Sequence, residues 1–372
     1  KTTNFNYMLL NSATSIPNLN TLVPKTVSWR SPSNIALVKY WGKFGVQYPC
    51  NPSISFTLKN AFTETSLSYR AKKADEIQKN ISLDFSFEGE KNDLFANKII
   101  AFFEKITPIF PFIKQLHFKI KSHNSFPHSS GIASSASSMS ALALCLCDLE
   151  NQLFKTLQNK DIFLQKASYI ARLGSGSAAR SVYPKMALWG KLETEANSSN
   201  DYAIVFNNSH DIFKNFQDTI LIVSKVEKKV SSRAGHALMN NNPYAETRYK
   251  QATQHLQTLL VALSNGDLDT FIQIVENEAL ILHALMMCST PSFILMQPNT
   301  LTIIQKIRAF REETKLPICF TLDAGPNVHV LYPKNIAPEI KVFIKNELEQ
   351  YCENAYIIED EVGNGAERIV NI

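Results

Sequence analysis

Through residues 26–70, apolar and polar side chains alternate with a period of two, most clearly at Thr26-Val27-Ser28-Trp29-Arg30 and Ser53-Ile54-Ser55-Phe56-Thr57-Leu58. This alternation reads as strands broken by a turn at Pro49 and Pro52. A helix is predicted at 93–106, a strand at 116–121 and a second helix at 136–152, where Met139, Leu142, Ala143, Leu146 and Leu149 recur at helical spacing. Short strands return at 202–206 and 219–224, and Asn240-Asn241-Asn242-Pro243 marks a break before a run of helices from about 245 to 314. The closing unit reads strand 317–323, strand 328–332, helix 338–348 and strand 355–361. Mixed strands with segregated helices imply an α+β architecture of two lobes. The expected division is an N-terminal extension at 1–24, one domain over 25–205 and a second over 206–372.

Composition narrows the class of molecule. A chain of 372 residues with 45% apolar and 19% charged residues suits two ordinary globular domains. Its six cysteines sit mostly inside apolar runs and lack the paired spacing of a zinc site, so reduced thiols and a cytoplasmic setting are expected, with Cys145 and Cys147 in the core. The formal charge of +5 is small, and Lys72-Lys73 and Lys228-Lys229 are isolated pairs, which argues against nucleic acid and fits an anionic small molecule. No apolar run reaches membrane-spanning length, and the first 24 residues are polar and mixed, unlike a signal peptide. A membrane partner is therefore not expected.

Two segments read directly as anion sites. Gly174-Ser175-Gly176-Ser177-Ala178-Ala179-Arg180-Ser181 joins glycines that admit a close ligand, serine hydroxyls, and a guanidinium fork that matches a carboxylate or a phosphate. Pro127-His128-Ser129-Ser130-Gly131-Ile132-Ala133-Ser134-Ser135-Ala136 runs from a strand into a helix N-terminus, where free backbone N–H groups and the helix dipole favour phosphate. It lacks the Gly-Lys-Ser/Thr of a P-loop.

The second segment resembles the phosphate loop of the GHMP small-molecule kinases, Pro-x-x-x-Gly-Ile/Leu-x-Ser-Ser-Ala, without a gap. Within that superfamily the chain resembles the diphosphomevalonate decarboxylases. The resemblance is carried by Asn34-Ile35-Ala36-Leu37-Val38-Lys39-Tyr40-Trp41-Gly42-Lys43, by the Gly174–Ser181 segment and by Asp323-Ala324-Gly325-Pro326-Asn327. Weaker likenesses follow in order at Val230-Ser231-Ser232-Arg233, His283-Ala284 and Val362-Gly363-Asn364-Gly365.

The resemblance implies a two-lobed GHMP kinase fold with a ferredoxin-like C-terminal lobe, and conversion of mevalonate 5-diphosphate to isopentenyl diphosphate with ATP and Mg2+, in a cytoplasmic homodimer. In that scheme Asp323 orients or deprotonates the tertiary 3-hydroxyl for attack on the γ-phosphate, and the nearby cationic Lys39 keeps it ionised. Arg180 grips the substrate carboxylate, with Ser175 and Ser177 donating to carboxylate or phosphate oxygens. The substrate site also takes in Asn34, with Tyr40, Lys43 and either Ser231 or Ser232 on the diphosphate. Pro127, Gly131, Ser134 and Ser135 hold the ATP phosphates, and Ser135 stands nearest the Mg2+ that neutralises them. The adenine is expected against residues 60–105. The enzyme alternative is a GHMP relative that phosphorylates or decarboxylates a less phosphorylated mevalonate.

Two departures from the family pattern stand out. Ala179 replaces the usual cysteine before the arginine, and Pro184-Lys185 replaces a glycine pair after Tyr183. The second is expected to stiffen the backbone and to add charge near the pocket.

Overall fold

The computed structural model describes residues 15–127, 132, 134–226 and 232–370, and of Ser232 and Arg233 only the backbone. In the N-terminal lobe the predicted strand region becomes two long strands, β1 (Lys25–Val38) and β4 (Ser53–Ala71), paired antiparallel and separated by a hairpin of β2 (Lys43–Phe44) and β3 (Tyr48–Pro49). The chain continues through β5 (Ser82–Phe87), β6 (Glu90–Lys91), α1 (Asp93–Ile106), β7 (Leu116–Asn124), α2 (Ser134–Phe154), α3 (Lys160–Gly174), α4 (Ala178–Ser181), β8 (Met186–Trp189) and β9 (Ala203–Val205). Helix α1 starts where Asn92 accepts from the Phe95 N–H, and it buries Ile99, Phe102, Phe103 and Ile106 along one stripe. Helix α2 is different: from Ser140 to Glu150 every residue is buried, because its small side chains let it lie tightly between α3 and the sheet of β1 and β4. Cys145 and Cys147 lie in this core, and all six cysteines are free thiols.

The C-terminal lobe adds α5 (Asp211–Lys214), β10 (Gln217–Leu221), α6 (Ser232–Ala237), α7 (Ala245–Asn265), α8 (Leu268–Met287), α9 (Pro298–Thr314), β11 (Cys319–Thr321), β12 (Val328–Tyr332), α10 (Ala337–Phe343) and β13 (Ile357–Glu361). Its antiparallel sheet runs β11-β12-β10-β13, which is the ferredoxin-like strand order. The helix predicted at 338–348 is α10 prolonged by a π-helical turn at Ile344–Leu348.

The two lobes share a core. Ile54, Phe56 and Leu58 of β4 pack in one cluster with Leu256, Leu259, Phe271 and Val275 of α7 and α8. The chain end then crosses back: β14 (Glu367–Arg368) pairs with β1 at Trp29 and Arg30, and Arg368 donates to Asp148 of α2 at 2.7 Å. Nearby, the buried Asp360 carboxylate accepts the N–H groups of Lys59, Asn60 and Ala61 at 2.7–2.8 Å. The end of β1 and the loop after β11 meet where the lobes join.

Candidate active site

Lys39 follows the last residue of β1, and Asp323 follows β11. Their side chains meet with Lys39 Nζ 3.1 Å from Asp323 Oδ1, the lysine buried and the aspartate about a quarter exposed. The sequence tail Ala-Gly-Pro-Asn does what its composition implies. The Gly325 N–H closes a tight turn on the Asp323 carbonyl at 2.7 Å, and the carboxylate is left at the strand end. His283 Nε2 also donates to that carbonyl, at 3.0 Å. Burial pulls the Lys39 ammonium below its ordinary range, Asp323 and Glu278 push it back up, and Arg180 adds a smaller downward push.

Arg180 projects from α4 into a buried socket of hydroxyls. Nη1 donates to Ser53 at 2.6 Å, and Nε donates to Ser55 at 3.0 Å and to the Asn34 side-chain oxygen at 3.4 Å. Among the described residues no carboxylate lies within 4.0 Å of it, and burial lowers its pKa to about 10 against the nearby Asp323 and Tyr40. It therefore remains a buried cation at neutral pH. Asn34 is held in turn, donating to the Ser181 hydroxyl at 2.7 Å and to the Ser177 carbonyl at 3.2 Å.

The left-handed Gly42 (φ +101°) bends the chain between Tyr40 and Lys43, and a side chain there would collide with Tyr249. Tyr40 packs edge-on to Trp189 at 4.8 Å and lies 4.3 Å from the His236 ring. Gly176 is packed so closely that a Cβ would stand 2.8 Å from both the Tyr40 hydroxyl and the Trp189 ring. Lys43 lies on the β2–β3 hairpin and donates to Gln47 at 2.8 Å.

In the 127–136 segment, Pro127 is half-buried, and the buried Ile132 accepts from Ser33 through its carbonyl. Ser134 and Ser135 open the 21-residue α2. The Ser135 hydroxyl is 3.4 Å from that of Ser175, so the two segments read separately as anion sites converge at one point. Gly131 and Ser231 lie outside the described residues, as does the side chain of Ser232, although its backbone opens α6. No group of three or more His, Cys, Asp or Glu able to hold a metal occurs among the described residues.

One expectation about the departures changes. Lys185 is exposed and adopts φ +56°, the conformation a glycine would take there. Its N–H bonds to the Gly363 carbonyl at 2.9 Å and its carbonyl accepts from Thr57 at 2.8 Å, so this segment docks on the closing turn of the chain.

Several neighbours escaped the sequence reading. Buried His236 accepts the Gly42 N–H on Nδ1, and burial with Lys43 nearby pulls its pKa to about 3, so its ring is neutral with the proton on Nε2. Ser53 and Ser55 were visible only as the polar half of an alternating strand. Glu278, Arg248 and His255, behind Lys39, fall in the helical run from about 245 to 314 and carry no local sign of a site.

The mixed α+β architecture, with its ferredoxin-like C-terminal sheet and the Lys39–Asp323 pair where the lobes join, is that of an enzyme of the GHMP kinase fold. Residues 31–201 match the family model of the diphosphomevalonate decarboxylase-like N-terminal domain, and residues 219–367 match that of the mevalonate 5-diphosphate decarboxylase C-terminal domain. The diphosphomevalonate decarboxylase of Debaryomyces hansenii is 30% identical over 319 residues, which is 82% of this chain and 79% of that protein. The crystal structure of mevalonate diphosphate decarboxylase from Staphylococcus aureus superposes with a TM-score of 0.80 at 28% identity, covering 95% of this chain and all of that one. A decarboxylase solved as MDDEF in complex with MVAPP, AMPPCP and magnesium gives a TM-score of 0.77 at 26% identity, over 94% of this chain and 100% of that one. The chain belongs to the diphosphomevalonate decarboxylase family.

Proposed function

We propose that the protein converts mevalonate 5-diphosphate and ATP to isopentenyl diphosphate, ADP, phosphate and CO2, by phosphorylating the 3-hydroxyl and then losing phosphate and carboxylate together. The observation that carries this reading is Arg180, a buried cation with hydroxyl partners and, among the described residues, no carboxylate within 4.0 Å, near the Lys39–Asp323 pair. A kinase that stops at phosphoryl transfer has no need of a clamp on the carboxylate.

In this reading Asp323 accepts the 3-hydroxyl proton as the oxygen attacks the γ-phosphorus. Lys39, 3.1 Å away, fixes the carboxylate and offsets negative charge at the reacting centre. Arg180 holds the substrate carboxylate until the C–C bond breaks; the bonding electrons form the new alkene as the 3-phosphate leaves. Tyr40, Lys43 and Ser231 or Ser232 receive the diphosphate, while Ser175 and Ser177 donate to anionic oxygens. Asn34 positions the guanidinium.

Pro127, Gly131, Ser134 and Ser135 would cradle the ATP phosphates, and the exposed Ser135 hydroxyl is the side chain suited to Mg2+ carried with them. The ion supplies charge neutralisation at the β- and γ-oxygens. An open cleft of about 300 Å3 lies where the loop begins, and Phe87 and Glu88 in its lining belong to the 60–105 stretch expected to meet the adenine. A larger cleft of about 450 Å3, between α8 and α9, is lined by none of these residues, and its Arg308 and Arg311 both pair with Glu276. We read the protein as a cytoplasmic homodimer, as the family usually is. No helix among the described residues is long and apolar enough to cross a membrane.

The test compares mevalonate carrying zero, one and two phosphates, with ATP and Mg2+. The diphosphate should have the highest kcat/KM for CO2 release. A higher value for the monophosphate would transfer the reading to a phosphomevalonate decarboxylase.

A further inference from the structure

Lys39 is held from behind by a part of the molecule that touches neither candidate ligand site. Its backbone N–H donates to Glu278 Oε2 at 2.8 Å, and its carbonyl accepts from Arg248 Nη2 at 3.3 Å and from Asn51 Nδ2 at 3.1 Å. Glu278 of α8 and Arg248 of α7 are themselves joined by two hydrogen bonds, at 2.5 and 2.7 Å, and His255 of α7 donates through Nδ1 to Glu278 Oε1 at 2.6 Å. Lys39, Arg248 and Glu278 are all at most 2% exposed.

We propose that Glu278, seated by Arg248, is a positioning residue for Lys39: it fixes the Lys39 backbone between the lobes and sets a buried carboxylate behind the lysine. This rests on the proposed function only in giving Lys39 a task. A buried ion pair is weak support for stability, since an apolar pair of similar volume serves as well or better. Its placement on both backbone polar atoms of one residue instead points to Lys39.

The charges around the site are few. Asp323, from the loop after β11, and Arg180, from α4, act on the ammonium directly; Glu278 and Arg248 face its peptide, His255 faces Glu278, and His283 backs Asp323. Burial would drive the Glu278 carboxyl up, yet the bonds from Arg248, His255 and the Lys39 N–H hold it at about 2. It is ionised across the working pH range and pushes the Lys39 ammonium towards retaining its proton.

The test is Glu278→Gln, which keeps the shape and removes the charge. Because this leaves Arg248 buried without its partner, the double variant Arg248→Gln/Glu278→Gln is made alongside. Two readouts are taken. Carbamylation of Lys39 by cyanate, followed by peptide mass spectrometry, reports the neutral amine without requiring turnover; at a fixed pH it should rise about tenfold in the variant, the equivalent of one pH unit. The alkaline limb of kcat/KM for CO2 release should move by the same unit towards acid, with KM at pH 7 little changed. A residue that only braces the fold would lower the melting temperature and leave both profiles in place. Folded variants whose Lys39 reactivity and alkaline limb stay within twofold of the parent would overturn the proposal. If the parent protein releases no CO2, the proposed function falls, and the cyanate arm still decides the role of Glu278.

Discussion

Lys39 Nζ and Asp323 Oδ1 stand 3.1 Å apart although 284 positions separate them in the chain. The pair bridges the two lobes and joins a candidate base to a cation that holds it in place. Asp323→Asn should reduce ADP formation by about 10²–10⁴-fold, the usual contribution of a positioned general base. Nucleotide affinity, measured by calorimetry, should change less than threefold. Full activity in this variant would remove Asp323 from the mechanism.

Arg180→Lys keeps a positive charge and loses the planar fork that Ser53, Ser55 and Asn34 orient. We expect kcat for CO2 release to fall about 10²-fold or more, in line with loss of one preorganised donor to developing charge. Rapid-quench assays should show the deficit in the chemical steps and not in ATP binding.

Gly176→Ala asks whether the Tyr40 position matters. The added methyl must displace the Tyr40 hydroxyl or the Trp189 ring, each 2.8 Å from the new Cβ. Overpacking of this kind costs about 1–3 kcal/mol. The diagnostic is a KM for the diphosphorylated substrate that rises severalfold while KM for ATP stays constant.

Asp360 supplies the pH test. Burial raises its carboxyl from 3.8 to about 6, against the pull of the backbone N–H groups it accepts. The folded state therefore binds this proton more tightly than the unfolded chain, so the contribution is fully present below pH 4 and is lost as pH rises through 6. The difference is worth about 3 kcal/mol. Denaturant titrations should show the stability of the parent, relative to Asp360→Asn, falling by roughly that amount between pH 4 and pH 7. A constant or rising difference would contradict the assignment.

Where local pattern and burial agree, the sequence was legible. Helix α1 and strand β12 have the bounds expected of them, because a capping asparagine and an unbroken apolar stripe, or a strand of buried residues between turns, leave little to tertiary context. Helix α3 was missed: its buried face carries Lys166, Ser168 and Arg172, whose partners Glu150, the Ala179 carbonyl and Asp201 come from elsewhere. Strand β4 opens with serines on a face that alternation assigns to solvent, yet Ser53 and Ser55 are fully buried because Arg180 enters there. Glu278 is the extreme case, since a helical glutamate gives no local sign that it will meet a peptide 239 residues earlier. By contrast the glycine-, serine- and proline-rich segments around Arg180, Ser135 and Asp323 announced themselves, because backbone chemistry of that kind has few uses.

The carboxylate clamp is tested most directly by following ADP and CO2 separately while the purified protein turns over mevalonate 5-diphosphate with ATP and Mg2+. One CO2 for each ADP, with isopentenyl diphosphate as the organic product, is the predicted result. ADP released without CO2 would show a kinase and contradict the role given to Arg180.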